Sequence, residues 1–145
     1  MPGNDALFLT SPSGEESKMA MRIQVTFDCA NPGKQAEFWA KALRYGPPDP
    51  SGDDDWAAIE DPDRVRPRFY FQRVPEGKVA KNRMHLDLNA SGEGGVPLDE
   101  AKVRVLAEVE RLKALGADDR RGALEEDGEF WVRMNDPEGN EFCVE

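Results

Sequence analysis

A single histidine and one of two cysteines are the residues of this 145-residue chain best suited to chemistry. The imidazole of His85 can act as a general base or bind a metal, and Cys143 can serve as a nucleophile if the two lie on neighbouring strands. A metal-free proton transfer with Asp28, Asp87 or Glu145 as general base is a second option. The plainest alternative is that His85 donates a hydrogen bond within a binding surface. The sequence alone leaves these roles open.

Two segments of alternating polarity must position these residues. In residues 23–28 and again in 84–89, every second residue is polar and those between are apolar, which is the pattern of a strand with one buried face. The alternating polar residues are Gln24, Thr26 and Asp28 in the first segment, and His85, Asp87 and Asn89 in the second.

The two strands open two copies of a repeated pattern. After each strand comes an amphipathic helix, which ends at Leu43 in the first copy and at Leu115 in the second. A tryptophan, four residues and an Asp-Pro-acid turn then follow, in residues 56–63 and in residues 131–138. An internal repeat of this kind is evidence for an architecture rather than for a local motif. It predicts an α+β fold of two βαβββ modules related by a pseudo-twofold axis, whose mixed sheets curl around a cleft.

The repeat also predicts the domain boundaries. Module one is expected to span residues 22–73 and module two residues 83–145, joined by a linker at 74–82. Residues 1–21, which hold Ser, Gly and Pro but no long apolar run, are predicted to form a flexible N-terminal arm.

Turn residues predict the local structure at the end of the chain. Residues 131–145 should form a β-hairpin around the turn at 136–140, because Asp, Pro, Gly and Asn each favour a turn there. Residues 120–128 are predicted to be a polar loop, and the Pro- and Asp-rich residues 48–55 a surface loop.

Strand alternation predicts which side chains the helices cover and which stay open. The residues expected beneath the helices are Val25, Phe27, Ile59, Phe69, Phe71, Leu86, Leu88, Val132, Met134, Phe142 and Val144. The residues expected on the open face are Gln24, Thr26, Asp28, Trp56, Tyr70, Gln72, His85, Asp87, Trp131, Arg133, Cys143 and Glu145. Tryptophans among hydrogen-bonding groups are typical of a ligand cleft, although a solvated sheet face is the alternative. We predict that Trp56 and Trp131 flank a cavity that binds a small molecule.

Composition excludes several classes of partner. The net charge of 19 − 29 = −10, without a basic run, argues against a nucleic-acid partner. No apolar run approaches the roughly 18 residues of a membrane helix, so no membrane role is expected. Two cysteines do not make a secreted disulfide framework, and we predict a cytoplasmic protein.

Three motifs and the paired modules together resemble a known superfamily. The HLDL strand at 85–88, the LGA helix end at 115–117 and the DPEGNEF turn at 136–142 look like those of the glyoxalase/bleomycin-resistance/dioxygenase superfamily, also called vicinal oxygen chelate proteins. The chain is most similar to the glyoxalase-like domains, over residues 22–145. The resemblance implies two sheets curled around a cleft and a homodimer. Family activities include lactoylglutathione lyase, extradiol dioxygenase, epimerase and antibiotic sequestration, so membership names no single reaction.

The resemblance also implies where a metal would be bound. Catalytic members hold a divalent metal with one His or Gln on each module's first strand and one Glu on each last strand. The matching positions here are Gln24, Tyr70, His85 and Cys143, so both carboxylates are replaced and a hard cation lacks charged oxygen ligands. We therefore expect a degenerate site without a tightly bound metal or other cofactor. Zinc held by Cys143 and His85, with Asp28 or Asp87 swinging over as a further ligand, stays an alternative.

These expectations combine into a functional hypothesis. The chain is predicted to be a homodimeric glyoxalase-like protein that binds a small, partly aromatic or polar metabolite through Gln24, Trp56, Tyr70, His85, Trp131, Arg133 and Cys143. The alternative is a glyoxalase-type lyase or isomerase in which His85 is catalytic together with a carboxylate, with or without a divalent metal. A purely structural or partner-binding role is a third hypothesis, which the polar residues expected on one face disfavour.

Overall fold

The computed structural model describes residues 20–92 and 94–145, and the backbone of two short strands before them. Those strands, Phe8–Thr10 (β1) and Glu16–Lys18 (β2), pair antiparallel with each other. The rest of the predicted arm up to residue 19 lies outside the described residues. The remaining elements are β3 (Gln24–Cys29), α1 (Pro32–Leu43), β4 (Trp56–Ile59), β5 (Arg68–Arg73), β6 (Leu86–Leu88), α2 (Leu98–Leu115), β7 (Asp118–Glu126), β8 (Glu129–Asn135) and β9 (Glu141–Val144).

Two mixed sheets, one per module, confirm the predicted α+β class and the internal repeat. The sheet of module one has the order β3-β5-β4, and that of module two has the order β6-β9-β8-β7. In both modules the strand before the helix runs parallel to the last strand, which lies antiparallel to the strand before it. The register matches as well, because Val25 pairs with Phe69 where Leu86 pairs with Phe142.

Module one departs from the predicted βαβββ pattern, which only module two has in full. The segment 46–53 runs along β4 and donates three backbone hydrogen bonds to β4 and the residue after it, from Gly46 N to Glu60 O (3.1 Å), from Asp49 N to Ala58 O (2.9 Å) and from Asp53 N to Trp56 O (3.0 Å). The prolines at positions 47, 48 and 50 have no N–H to donate, so the segment cannot form a regular ladder. Module one is therefore a βαββ unit with an irregular edge.

The predicted polar loop at residues 120–128 is wrong, because β7 occupies most of it. This strand pairs with β8, with a register shift between Asp118 and Gly122. β7 is an edge strand, and most side chains in its second half are exposed. Its composition is therefore as polar as that of a loop. Asp127 and Gly128, both at positive φ (52° and 78°), form the hairpin turn into β8. This Asp-Gly pair is the sequence signal that predicts such a turn.

The ends of the helices follow the local sequence. The Asn31 side chain accepts a hydrogen bond from Lys34 N (3.1 Å), and Pro32 is the first residue of α1. Gly116, at φ 118°, terminates α2 in the left-handed conformation that glycine adopts without strain. Neither α1 nor α2 combines the length and apolar character of a membrane-spanning helix.

The apolar residues predicted to face the helices form a continuous core. Seven of the eleven are buried and the other four pack against them: Ile59, Phe69, Phe71, Val132, Met134, Phe142 and Val144, then Val25, Phe27, Leu86 and Leu88. Trp39 of α1 lies between the modules, with edge-on ring contacts to Phe27 (5.5 Å) and Phe142 (5.1 Å). The two modules therefore share one core rather than having separate ones.

The carboxylate of Asp136 joins the two modules at a buried position. It lies in the turn between β8 and β9 and is 3% exposed. Its Oδ2 accepts hydrogen bonds from Gln35 Nε2 (2.9 Å) and Trp39 Nε1 (3.0 Å) of α1. Its Oδ1 accepts hydrogen bonds from the backbone N–H groups of Glu138 and Asn140, each at 2.9 Å. A buried charge is tolerated only when its lone pairs are filled in this way.

Two charged side chains reinforce the same joint at the two ends of α1. At its start, the Glu138 carboxylate accepts hydrogen bonds from Ala30 N (2.7 Å) and Asn31 N (3.0 Å), where a negative charge suits a helix N-terminus. At its end, Arg111 of α2 donates to the carbonyls of Lys41 (2.9 Å) and Ala42 (2.8 Å). These bonds satisfy backbone groups that a helix leaves unpaired.

Replacing Asp136 with alanine should destabilise the whole fold, because it leaves the indole and amide donors of α1 without an acceptor in the core. We expect Asp136→Ala to lower the free energy of unfolding by about 2–4 kcal/mol, measured by urea denaturation with tryptophan fluorescence and circular dichroism. The matched control is Asp63→Ala, which replaces the exposed acidic residue of the first Asp-Pro turn. It should change the free energy of unfolding by less than about 0.5 kcal/mol. Equal effects of the two substitutions would refute the assignment of Asp136 as the joint.

Candidate functional site

The open face of module one presents an aromatic stack. The rings of Trp56 and Tyr70 lie nearly parallel, with 5.8 Å between centroids and 9° between planes. The guanidinium of Arg68 lies over the Tyr70 ring, 5.8 Å from its centroid. Arg68 and Tyr70 are two residues apart on β5, so they point to the same side of the sheet. Flat, partly exposed rings beside a cation form a surface on which a planar group can stack.

Hydrogen bonds order the polar groups beside this stack. Arg68 Nη1 donates to Gln24 Oε1 (2.8 Å), and its Nε forms an ion pair with Glu60 (3.3 Å). Gln72 Nε2 donates to Asp28 Oδ1 (2.7 Å). Arg68 was not among the residues predicted to bind a ligand, although its alternation with Tyr70 along one strand is a signal that could have identified it.

The open face of module two carries titratable groups instead of an aromatic stack. His85 Nε2 lies 3.2 Å from Asp87 Oδ1. Asp87 on β6 pairs in register with Cys143 on β9, and atoms of all three side chains that can bind a metal lie within 4.8 Å of one another. The structure thus brings together His85 and Cys143, two of the predicted site residues, and adds Asp87 to them.

The surroundings of Cys143 disfavour its thiolate in the metal-free protein. Burial raises the pKa of its thiol, and the negative charge of Asp87 raises it further, while Arg121 and Arg133 act in the opposite direction. Burial also raises the pKa of the Glu145 carboxyl on the same face, together with the charges of Asp87 and Glu129. The other cysteine, Cys29, is a core residue whose thiol has a pKa raised by burial to about 11.

Arg133, which was predicted to contact a ligand, is held by the backbone of β7. Its guanidinium donates to the carbonyl of Arg121 and, at 3.5 Å, to that of Gly122. Arg133 on β8 pairs in register with Cys143 on β9. Arg133 therefore places a fixed positive charge near the Cys143 thiol, which acts to lower the pKa of that thiol.

Trp131 lines a cavity of about 370 Å³ at the end of module two. Glu145, Phe130 and residues around the start of α2 complete its walls. A second cavity, of about 390 Å³, lies between α1 and the end of α2, lined by residues that include Lys34, Phe38 and Leu115. Neither of these two cavities is lined by Trp56 or Tyr70.

The predicted residues thus fall into two groups on different sheets. One group is Gln24, Trp56 and Tyr70, with Arg68, and the other is His85, Trp131, Arg133 and Cys143, with Asp87. Among the described residues, no hydrogen bond, ion pair or ring contact joins one group to the other. Tyr70 and Cys143 nevertheless occupy matching positions, because Tyr70 pairs with Thr26 as Cys143 pairs with Asp87.

The four positions that the resemblance assigns to a metal do not fit a hard divalent cation. Tyr70 is stacked on Trp56, and the Gln24 amide oxygen already accepts a hydrogen bond from Arg68. Neither position supplies a carboxylate, which such a cation requires. In module two the donor set differs, because the Asp87 carboxylate lies beside His85 although Asp87 is not one of these four positions.

Comparisons with solved structures show the same fold in proteins of low sequence identity. A possible glyoxalase from Bacillus cereus is 17% identical with a TM-score of 0.57, and the match covers 86% of this chain and 98% of that one. A lactoylglutathione lyase from Agrobacterium tumefaciens is 12% identical with a TM-score of 0.56, covering 88% and 93%. A fosfomycin resistance protein from Listeria monocytogenes, solved with Mn(II), is 12% identical with a TM-score of 0.59, covering 87% and 89%.

Sequence comparison identifies the family directly. None of the curated proteins matches the chain. The family model described as "Glyoxalase-like domain" matches residues 24–145, a range that runs from β3 to the end of the chain and includes every candidate site residue. The chain therefore belongs to the glyoxalase-like domain family.

Proposed function

We propose that this protein binds a small, partly aromatic or polar metabolite in a cleft lined by the open faces of its two modules, without the family's full metal site. The observation that carries the proposal is the parallel stack of Trp56 and Tyr70 on a sheet face otherwise made of hydrogen-bonding groups. An aromatic pair left partly open beside Arg68 and Gln24 suits a planar ligand with polar substituents. The cytoplasmic location of the protein stays a prediction from its composition.

We further propose that the cleft forms between two copies of the chain. Within the described part of one chain, no hydrogen bond, ion pair or ring contact joins the two groups of site residues, and in the proposed dimer each open face lies opposite a face of the other copy. Strands β3 and β6 each have one neighbour in their sheets, which leaves a free backbone edge on each. Met21, Ile23 and Met84 are 90%, 67% and 85% exposed, and they lie at the starts of these two strands. A homodimer that brings β3 of one copy beside β6 of the other covers these side chains.

Sedimentation equilibrium should therefore give a dimer of the 16.2 kDa chain at micromolar concentration. The substitution Ile23→Lys should shift the equilibrium towards the monomer, because it places a charge at the proposed interface. The control Val79→Lys changes an equally apolar residue that is 96% exposed in the linker, and should leave the dimer intact. A wild-type protein that sediments only as a monomer would contradict this assembly.

Ligand binding can be tested by ligand-observed NMR with one- and two-ring aromatic compounds, including indole, quinoline and 4-hydroxybenzoate. We expect at least one compound to bind, and Tyr70→Ala or Trp131→Ala to weaken it by roughly 2- to 10-fold, since an aromatic contact contributes about 0.5–1.5 kcal/mol. The control Leu106→Ala, on the exposed side of α2, should have no effect. Uniform failure to bind, or equal effects of all three variants, would contradict a stacking site.

A mixing experiment with the same compound distinguishes a cleft between copies from a cleft within one chain. When Tyr70→Ala and Trp131→Ala proteins exchange subunits, each mixed dimer has one cleft with both defects and one with neither. Roughly a quarter of all clefts should then regain wild-type affinity if subunits mix at random. If the cleft lies within one chain, mixing restores none.

The contact between His85 and Asp87 supports an enzymatic alternative. A carboxylate 3.2 Å from an imidazole nitrogen can orient the ring for proton transfer, as a general base requires. In this alternative the protein is a glyoxalase-type lyase or isomerase, and His85 removes a proton from a carbon next to a carbonyl group.

The alternative predicts that the protein converts the adduct of methylglyoxal and glutathione to S-lactoylglutathione. The reaction can be measured from the absorbance of the product. His85→Ala should lower kcat/KM by about 10²- to 10⁴-fold, and Asp87→Asn should lower it by a smaller factor. Asp63→Asn, which changes an exposed carboxylate in the first Asp-Pro turn, outside both open faces, is the matched control and should retain activity. Absence of turnover by the wild-type protein would remove this alternative and leave the binding function in place.

A further inference from the structure

Module two holds three metal-binding side chains in one small cluster on its open face. They offer one imidazole nitrogen from His85, one carboxylate oxygen from Asp87 and one sulfur from Cys143, all within 4.8 Å of one another. Two ligands of a tetrahedral zinc ion are roughly 3.5 Å apart. Because His85 and Asp87 are exposed, small rotations of their side chains can bring the three atoms to that spacing.

We propose that His85, Asp87 and Cys143 form a zinc-binding site contained within module two. It differs from the arrangement that the family resemblance implies, because all three ligands come from one sheet and the carboxylate is on the first strand rather than the last. It also goes beyond the proposed function, since metal binding here requires neither a metabolite nor the second open face.

The charges of the three donors suit a zinc ion. A carboxylate and a thiolate balance its two positive charges, and neutral imidazole is a third ligand that zinc commonly takes. Binding converts the Cys143 thiol to a thiolate and releases its proton to solvent. Three protein ligands leave a fourth position open for water or another small molecule.

The equivalent positions of module one show why the site is confined to module two. Thr26 and Tyr70 pair in the register that Asp87 and Cys143 have in module two. The residue two positions before Thr26 is Gln24, whose amide oxygen is bound by Arg68. The two sheets are therefore alike in backbone, and only module two has side chains that suit zinc.

The donor set also predicts selectivity. A thiolate binds borderline and soft metals strongly and contributes little to Mg²⁺ or Mn²⁺, which prefer oxygen. Zn²⁺ and its spectroscopic substitute Co²⁺ should therefore bind much more tightly than Mn²⁺.

The test is titration of the chelator-treated, full-length protein with Zn²⁺ by calorimetry and with Co²⁺ by absorption spectroscopy. We expect one ion per chain with a dissociation constant of about 10 µM or tighter. Bound Co²⁺ should give the near-ultraviolet thiolate-to-metal band and visible bands of a tetrahedral ion. Cys143→Ser should abolish the thiolate band, and His85→Ala and Asp87→Asn should each weaken binding by about tenfold or more. Circular dichroism verifies that each variant is folded.

Matched controls identify the ligands and separate this site from the family's arrangement. Cys29→Ala removes the other thiol, and Asp28→Asn removes a carboxylate near the end of β3, so both should retain zinc affinity and the thiolate band. Gln24→Ala and Tyr70→Phe should also retain them. Loss of affinity in either of these last two variants would assign the metal to both modules and overturn the proposal. So would the absence of zinc binding, or a thiolate band that persists in Cys143→Ser.

Discussion

The buried carboxylate of Asp136 is the interaction on which the arrangement of the two modules depends. Its charge lies in the core and is compensated by the indole and amide donors of α1 and by backbone N–H groups of its own turn. If the helix of module one moved away from the hairpin of module two, its indole and amide donors would lose their acceptor in the core. The free-energy cost of such a shift is therefore large. Glu138 and Arg111 hold the two ends of the same helix.

This joint determines which surfaces are left for function. The helices and apolar sheet faces are used to build one shared core. The polar sheet faces are consequently left open, and each carries its own set of reactive or binding groups. Within the described part of one chain no hydrogen bond, ion pair or ring contact joins these sets, and the proposed dimer is what would place the two faces opposite each other. This is the physical reason that the proposed metabolite cleft and the proposed dimer depend on each other.

The two sheets have a common backbone register but different chemistry. The pair Thr26 and Tyr70 in module one corresponds to the pair Asp87 and Cys143 in module two. The first supplies an aromatic surface with Trp56, and the second supplies titratable groups beside His85. Divergence of the two halves explains why the family's shared metal site does not fit, while one half still has donors suited to zinc. The proposed zinc site lies within one sheet, whereas the proposed metabolite cleft uses both sheets, so metal binding and metabolite binding can be tested separately.

The sequence by itself determined the repeat, the family, the faces of the strands and most element ends, because alternation and turn chemistry are local properties. It failed at β7, where an exposed edge strand has the composition of a loop, and in the strand count of module one, where prolines keep residues 46–53 from forming one of the strands of a βαβββ unit. Composition also could not separate the two Asp-Pro turns. Asp61 is bound only by its own turn and by Arg66, which lower the pKa of its carboxyl, whereas Asp136 binds the other module. Only the tertiary structure decided that difference, because it depends on how segments distant in sequence pack together. The tertiary structure also decided the 3.2 Å contact of His85 with Asp87, because that contact depends on how two side chains of one strand are oriented.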